Sequence, residues 1–433
     1  MIKNTINKHG LSCILCLVSF IFMGQTVVQQ CKYRFDNYLN FKGSCNHRIE
    51  FQKEVIYILD SKGKKEFAIY ASEIPMLAKF FANSSFAKQE KFIKFKGIKN
   101  LKATQRDSIL AKLNDKKIII RQNKLPLSGY RVAIDPGHSA TNLMEAEIEQ
   151  KFLYFVKDSI NHPLDSVKLF ESVLTFNTAQ LLQKMLEEQG AKVLLTRSQN
   201  NFNSFNCTYT TWLTNHKDRV LDSLKNANVL PKAKYAKLMK MNDHDVFWEF
   251  FRDYELTNRA KVMNEFNPHA SVIIHYNVDE KNEPWKQCSK KNFTMAFIGG
   301  AFTGDNLDKP ENLVHFIRLL VTDELNQSEI LASLTVNNFS NNLDIPKASQ
   351  FDANYLKDNC LLPKSPGVFS RNLNLCRLVN SPLVYGESLY QDNEKECDAL
   401  MKDDVNFKGI KTNDRLLNVA KSYYQAVLMF LKN

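Results

Sequence analysis

Four side chains in this sequence have the types and settings from which a reactive centre is built. His138 lies in Val132–Ala140, "VAIDPGHSA", directly after a short aliphatic run. Pro136 and Gly137 turn the chain sharply there and aim the imidazole at the crevice beyond a strand's carboxyl end, where open α/β sheets gather ligands. Glu171 opens the helical stretch "ESVLTFNTAQLLQKMLEEQG", close to the positive end of its dipole. His275 ends the aliphatic run "ASVIIHYN", and Glu387 ends "SPLVYGE", where a buried carboxylate is costly unless partnered or used. Three of them alone have a plain explanation: a turn histidine, a solvated first-turn glutamate, a satisfied core histidine. As a set they are a chemistry. Two His and one Glu suit catalytic zinc with one position left open for water. Zinc lowers that water's pKa and polarises a carbonyl oxygen. A second carboxylate that does not bind metal can pass the water's proton to a leaving amine. Such a set performs metal-assisted amide hydrolysis.

The elements that must position these residues alternate. "YRVAID", "AKVLLTR", "ASVIIHYN", "FTMAFIGG" and "SPLVYGE" read as buried strands. Between and after them, "YELTNRAKVMNEF", "PENLVHFIRLLVTDEL" and "NDRLLNVAKSYYQAVLMFLK" carry apolar residues at helical spacing. The pattern predicts an α/β fold, a twisted, mostly parallel sheet with helices on both faces. Residues 198–252, polar and aromatic, and residues 335–375, Asn-rich and loop-like, read as insertions. Residues 25–129 form a basic N-terminal region, a small α+β unit with strand-like "VIYIL", "EFAIYA" and "KIIIRQ" and a helical stretch near "IPMLAKFFANSSF". Pro126 and Gly129 then mark a turn.

Lys3, Lys8 and His9 precede the apolar run Leu11–Gly24. That layout is a secretory signal, residues 1–24, and is short for a membrane-spanning helix. The expectation is export across the inner membrane to the periplasm or cell wall, without stable membrane insertion once the signal is cleaved; an uncleaved anchor is the rival. Seven cysteines follow the signal, from Cys31 to Cys397, with no CxxC pair, so any metal falls to His and carboxylate. A formal charge of +12 favours polyanions, acidic wall polymer among them. No Gly-rich phosphate loop and no nucleic-acid module is present in the sequence pattern, and no nucleic-acid partner is expected.

Residues 130–433 resemble the zinc-dependent N-acetylmuramoyl-L-alanine amidases of bacterial cell-wall metabolism. The family's "DPGHGG" stands here as "DPGHSA", its helix-opening Glu as Glu171, and its following "LTR" as Leu195–Arg197. Arg259, Asn264 and His275 keep the family's spacing, and His275-Tyr276-Asn277 matches its "HxN". Arg377, Pro382, Glu387 and Asn393 keep the spacing of its last motif. The resemblance implies one zinc ion on His138, Glu171 and His275, with Glu387 as general base and acid. It implies a sheet of about six strands, and cleavage of the amide between N-acetylmuramic acid and L-alanine in peptidoglycan. Arg259 and Asn277 are its candidates for positioning substrate, Arg259 in a structural more than a catalytic capacity.

The sequence departs from the family at several points. Ser139-Ala140 replace two glycines beside the metal. Glu171 lies 33 residues after His138, farther than in typical relatives, and residues 139–168 hold the extra segment. Ile273 stands where a Ser is usual, and Ser388-Leu389-Tyr390 replace Leu-Gly-Phe after Glu387. Some relatives plug the zinc with a carboxylate until an activator protein removes it; Glu311 and Glu324 are the candidates here. A related zinc peptidase acting on another wall amide, and a non-catalytic wall-binding protein, are the other readings.

Overall fold

The protein is described here from a computed structural model, which covers residues 26–84, 88–89, 125–158, 162–282 and 286–432. The expected signal, residues 1–24, and the strand expected at "KIIIRQ" lie outside them. The chain divides into two units, residues 1–114 with 302–323, and residues 115–301 with 324–433.

In the first unit, Thr26 caps a helix at Val27–Arg34 through a reciprocal bond with Gln29. Three antiparallel strands follow at Ile49–Gln52, Val55–Leu59 and Lys65–Tyr70, and a helix at Ile74–Asn83. A further helix, Pro310–Val321, belongs to the same unit. The buried Arg34 gives its Nε–H to Leu320 O at 2.7 Å, and Arg48 reaches Gly304 O and Asp308 at 2.8 Å. The run "PENLVHFIRLLVTDEL", expected as one helix of the α/β alternation, is therefore two. Thr322 takes an extended backbone and ends the first, and Glu324 begins the second.

The second unit holds a seven-stranded sheet, against about six expected. Its elements run β1 (Arg131–Pro136), α1 (Leu143–Glu149), the antiparallel hairpin β2 (Phe152–Asp158) and β3 (His162–Phe170), α2 (Glu171–Glu188), β4 (Lys192–Leu195), α3 (Arg252–Phe266), β5 (Ala270–Asn277), β6 (Met295–Gly299), α4 (Glu324–Leu343), β7 (Cys360–Leu361), β8 (Val368–Arg371), β9 (Leu383–Tyr390) and α5 (Asp414–Lys432). The sheet order is β7-β8-β6-β9-β5-β1-β4. Pairs β1–β4, β1–β5, β5–β9 and β6–β8 are parallel; β6–β9 and β7–β8 are antiparallel.

Period-two alternation sorts the residues of β6, β9, β5 and β1 into two faces. Ala133, Ile273, Met295 and Phe297 pack on the α3 side with Ala260 and Met263. On the opposite side, the Tyr276 hydroxyl lies 2.6 Å from Thr178 Oγ1 of α2. Gly386 faces α5 so closely that an added Cβ would sit 2.2 Å from the Tyr423 hydroxyl. The helices thus cover both faces, as expected. Four short helices between Tyr209 and Val246 fill the insertion after β4 and build an aromatic core of their own around Trp212 and Phe251, whose rings lie 4.5 Å apart.

The Asn-rich stretch expected as loop from residue 335 begins inside α4. Two of its asparagines bond to α5: Asn342 donates to Ser422 Oγ and Gln425 Oε1 at 2.9 Å, and Asn338 to Ser422 O. Tertiary bonding overrides their weak helix propensity. Among the described residues no helix is long and apolar enough to cross a membrane.

Candidate metal centre

The carboxyl ends of β1, β5 and β9 lie side by side, and the four residues singled out in the sequence sit at or beside them. Gly137 N donates to Ile274 O at 3.0 Å, which extends the β1–β5 ladder one step past Pro136. His138 follows with φ of 59°, a left-handed backbone that costs a non-glycine residue about 1–3 kcal/mol. Two buried guanidinium groups hold it there. Arg197 donates to Pro136 O (3.0 Å), Gly137 O (3.2 Å) and Ser172 O (2.8 Å). Arg259 donates to Pro136 O at 2.7 Å and pairs with Asp135 at 3.3 Å and Glu255 at 2.7 Å. A buried charge cluster of this kind is tolerable only when fully paired. Arg259 therefore fixes the end of β1, and it also lines the cleft beside His138.

Three donor groups converge. Glu171 Oε1 is 2.9 Å from His275 Nδ1 and accepts from Tyr276 N at 3.1 Å. Glu171 Oε2 is 3.4 Å from His138 Nε2. One ligand atom from each residue lies within 4.8 Å of the others. The two rings meet edge to face, 4.9 Å between centroids, and Tyr385 stacks flat on His275 at 4.4 Å. Burial would raise the Glu171 carboxyl, but the charges of His138 and His275 and a bond from His275 outweigh it and hold it down to about 2. Two imidazoles and an ionised carboxylate with no cysteine among them are a donor set that zinc accepts, with room for a fourth ligand.

Gly137 is required by this convergence. A Cβ there would lie 2.2 Å from the His275 ring. Gly137→Ala is expected to push the ring aside and lower turnover about 10²-fold through misplacement alone. Steady-state assays beside a far-ultraviolet spectrum check it, and full activity would show that His275 has no fixed part in the site.

Glu387 pairs in register with His275 across β5–β9, so both project from the same face of the sheet. Its Oε2 is buried without a hydrogen-bond partner. Burial first, and then the charge of Glu171, push its carboxyl up to about 8. In metal-free protein this has a sign. Between the ordinary carboxyl value near 4.5 and about 8, the folded chain keeps a proton that the unfolded chain has lost. Stability contributed by this group therefore falls as pH rises through that window. Urea midpoints of metal-free protein across it should decline more steeply for the wild type than for Glu387→Gln. Equal slopes would place the group in an ordinary solvated environment.

A cleft of about 480 Å³ opens beside these residues, lined by His138, His275 and Tyr385 and walled by Lys151, Trp248 and Arg252 from the two insertions. Asn277 lies outside that lining. Its Nδ2 donates to the Tyr355 hydroxyl at 2.8 Å and its Oδ1 accepts from Val278 N. The remaining spaced residues have structural partners. Asn264 bridges Leu378 O and Asn380 N, and Asn393 caps the helix at Glu394–Leu400. Neither Glu311 nor Glu324 belongs to the three-ligand group; Glu311 lies in the first unit.

Sequence reasoning missed Arg197, Tyr385 and Glu149 as neighbours of the site. Arg197 was visible in "LTR" without a role. Tyr385 carried a signal: two residues before Glu387 on a strand, it must share its face. Glu149 is buried with its Oε2 3.6 Å from His138 Nδ1. Burial would raise its carboxyl, yet His138 and the amides of Ser139 and Ala140 hold it below the usual range.

The family model Amidase_3, N-acetylmuramoyl-L-alanine amidase, matches residues 132–412. No curated protein matches the sequence. Matching solved structures include the N-acetylmuramyl-L-alanine amidase Ami1 of Mycobacterium smegmatis, 13% identical, with TM-score 0.38 over 70% of this chain and 98% of that one. They also include the CwlD amidase of Clostridioides difficile in complex with the GerS lipoprotein, 16% identical, with TM-score 0.37 over 70% of this chain and 98% of that one.

Proposed function

We infer, since this chain belongs to the N-acetylmuramoyl-L-alanine amidase family, that it is an exported zinc hydrolase cutting the amide between the lactyl group of N-acetylmuramic acid and L-alanine in peptidoglycan. The observation that carries the reading is the convergence of His138, Glu171 and His275 with an unpartnered Glu387 in register beside them. His138, Glu171 and His275 would hold the ion. Zinc supplies Lewis acidity toward the scissile carbonyl and a water of lowered pKa.

The other steps belong to the chain. Glu387 takes the attacking water's proton at Oε2 and delivers it to the alanine nitrogen as the C–N bond breaks. Arg259 and Arg197 keep the end of β1, and so His138, from drifting. Lys151 and Arg252 give the cleft positive charge suited to the carboxylates of a stem peptide. An activator protein enters only through the resemblance, and full activity of the purified protein alone would remove it.

Digestion of purified peptidoglycan, with products weighed by mass spectrometry, tests the reading. Free stem peptides beginning with L-alanine, lost on chelation and restored by zinc, are expected. Cleavage within the stem would make the protein a wall peptidase instead. Bound zinc without cleavage, in every partner-free and partner-supplemented assay, would leave a wall-binding protein.

A further inference from the structure

The two departures nearest the metal, the insertion of residues 139–168 and Ser139-Ala140 in place of two glycines, meet at one side chain. Glu149 is the last residue of α1, which Asn142 caps and Gln150 ends in a left-handed backbone. A carboxylate at a helix's C-terminal end is opposed by the dipole, and this one is also buried. Its compensation is local. Ser139 N donates to it at 3.2 Å, Ser139 Oγ at 3.0 Å and Ala140 N at 3.3 Å. The Ser139 hydroxyl is a donor that glycine would lack. Beyond these, Oε2 lies 3.6 Å from His138 Nδ1, while the opposite nitrogen of the same ring, Nε2, faces Glu171. The ring of His138 is thus held between two carboxylates, one on each nitrogen.

We propose that Glu149 is a positioning residue for the metal: its carboxylate faces Nδ1 of His138 at 3.6 Å, favours the tautomer with the proton on that nitrogen and Nε2 free as a ligand, and makes Nε2 a stronger donor. Outer carboxylates on metal-binding histidines act in this way. The inserted helix and the altered loop form one device, the loop's amides and hydroxyl holding the carboxylate that holds the ring. The inference rests on His138 being a metal ligand, as proposed above.

The test is zinc affinity, measured by competition with a chromophoric chelator, for wild type, Glu149→Gln, Glu149→Asp and Glu149→Ala. Glu149→Gln keeps an acceptor for the loop amides but removes the charge facing Nδ1. Zinc binding about 10–100-fold weaker is expected in Glu149→Gln and Glu149→Ala, with partial recovery in Glu149→Asp. Metal-free Glu149→Gln should still fold, with a lower melting temperature than wild type at neutral pH because the buried carboxylate's bonds from His138 and the loop amides are weakened. If Glu149→Ala fails to fold, Glu149→Gln decides alone. Variants that bind zinc as tightly as wild type would overturn the inference and leave the metal reading standing. Wild type that binds no zinc in the same titration would overturn both.

Discussion

Glu387→Gln is expected to lower turnover on peptidoglycan by about 10²–10⁴-fold and to leave metal content unchanged. Gln has the shape of Glu but cannot carry the water's proton. None of the three ligand atoms belongs to residue 387, so the metal set is untouched. The Glu387 side chain has a buried Oε2 without a hydrogen-bond partner, so the variant breaks no bond of the fold at that atom. The variant should also relieve the cost of a carboxyl beside Glu171, so its metal-free form should be no less stable than wild type. Rates and metal stoichiometry measured on one preparation decide the matter. Unchanged turnover with metal bound would assign the proton transfer to another group.

His275→Ala is expected to abolish metal binding, to bring activity to background, and to destabilise the fold more than His138→Ala does. The two histidines differ in setting. His275 is buried between Tyr385 and Glu171, while the His138 side chain keeps 21% of its surface exposed. Loss of His275 leaves the buried Glu171 charge without its 2.9 Å partner, a change that costs about 3–5 kcal/mol in comparable buried pairs. The Glu171 carboxyl should then rise from about 2 toward the ordinary range. Loss of His138 empties the metal site with a smaller penalty. Elemental analysis with urea unfolding of both variants checks the pair. An ion retained in either variant would remove that histidine from the ligand set.

The parts of the site that were legible in the sequence are those where one residue contradicts its own run. His275 and Glu387 end strands that are otherwise aliphatic, and Pro136-Gly137 breaks a third. The α/β alternation was legible for the same reason, since burial on a sheet writes itself as short apolar runs. Long-range pairing was not. Asp135 and Arg259 are 124 positions apart, and no spacing rule connects them. Glu149 sat in an insertion among several glutamates, with nothing local to mark it as the buried one. The end of the first helix at Thr322 was hidden because Thr and Asp interrupt an apolar pattern only briefly. Asn338 and Asn342 of α4 misled because their partners lie on α5, about eighty residues later.

The most direct test of the metal centre is anomalous diffraction from zinc-loaded crystals, recorded on both sides of the zinc absorption edge. One peak per chain is expected, enclosed by His138 Nε2, the Glu171 carboxylate and His275 Nδ1, with Glu387 beside it and not bound. A peak elsewhere, or none at full zinc occupancy in solution, would contradict it.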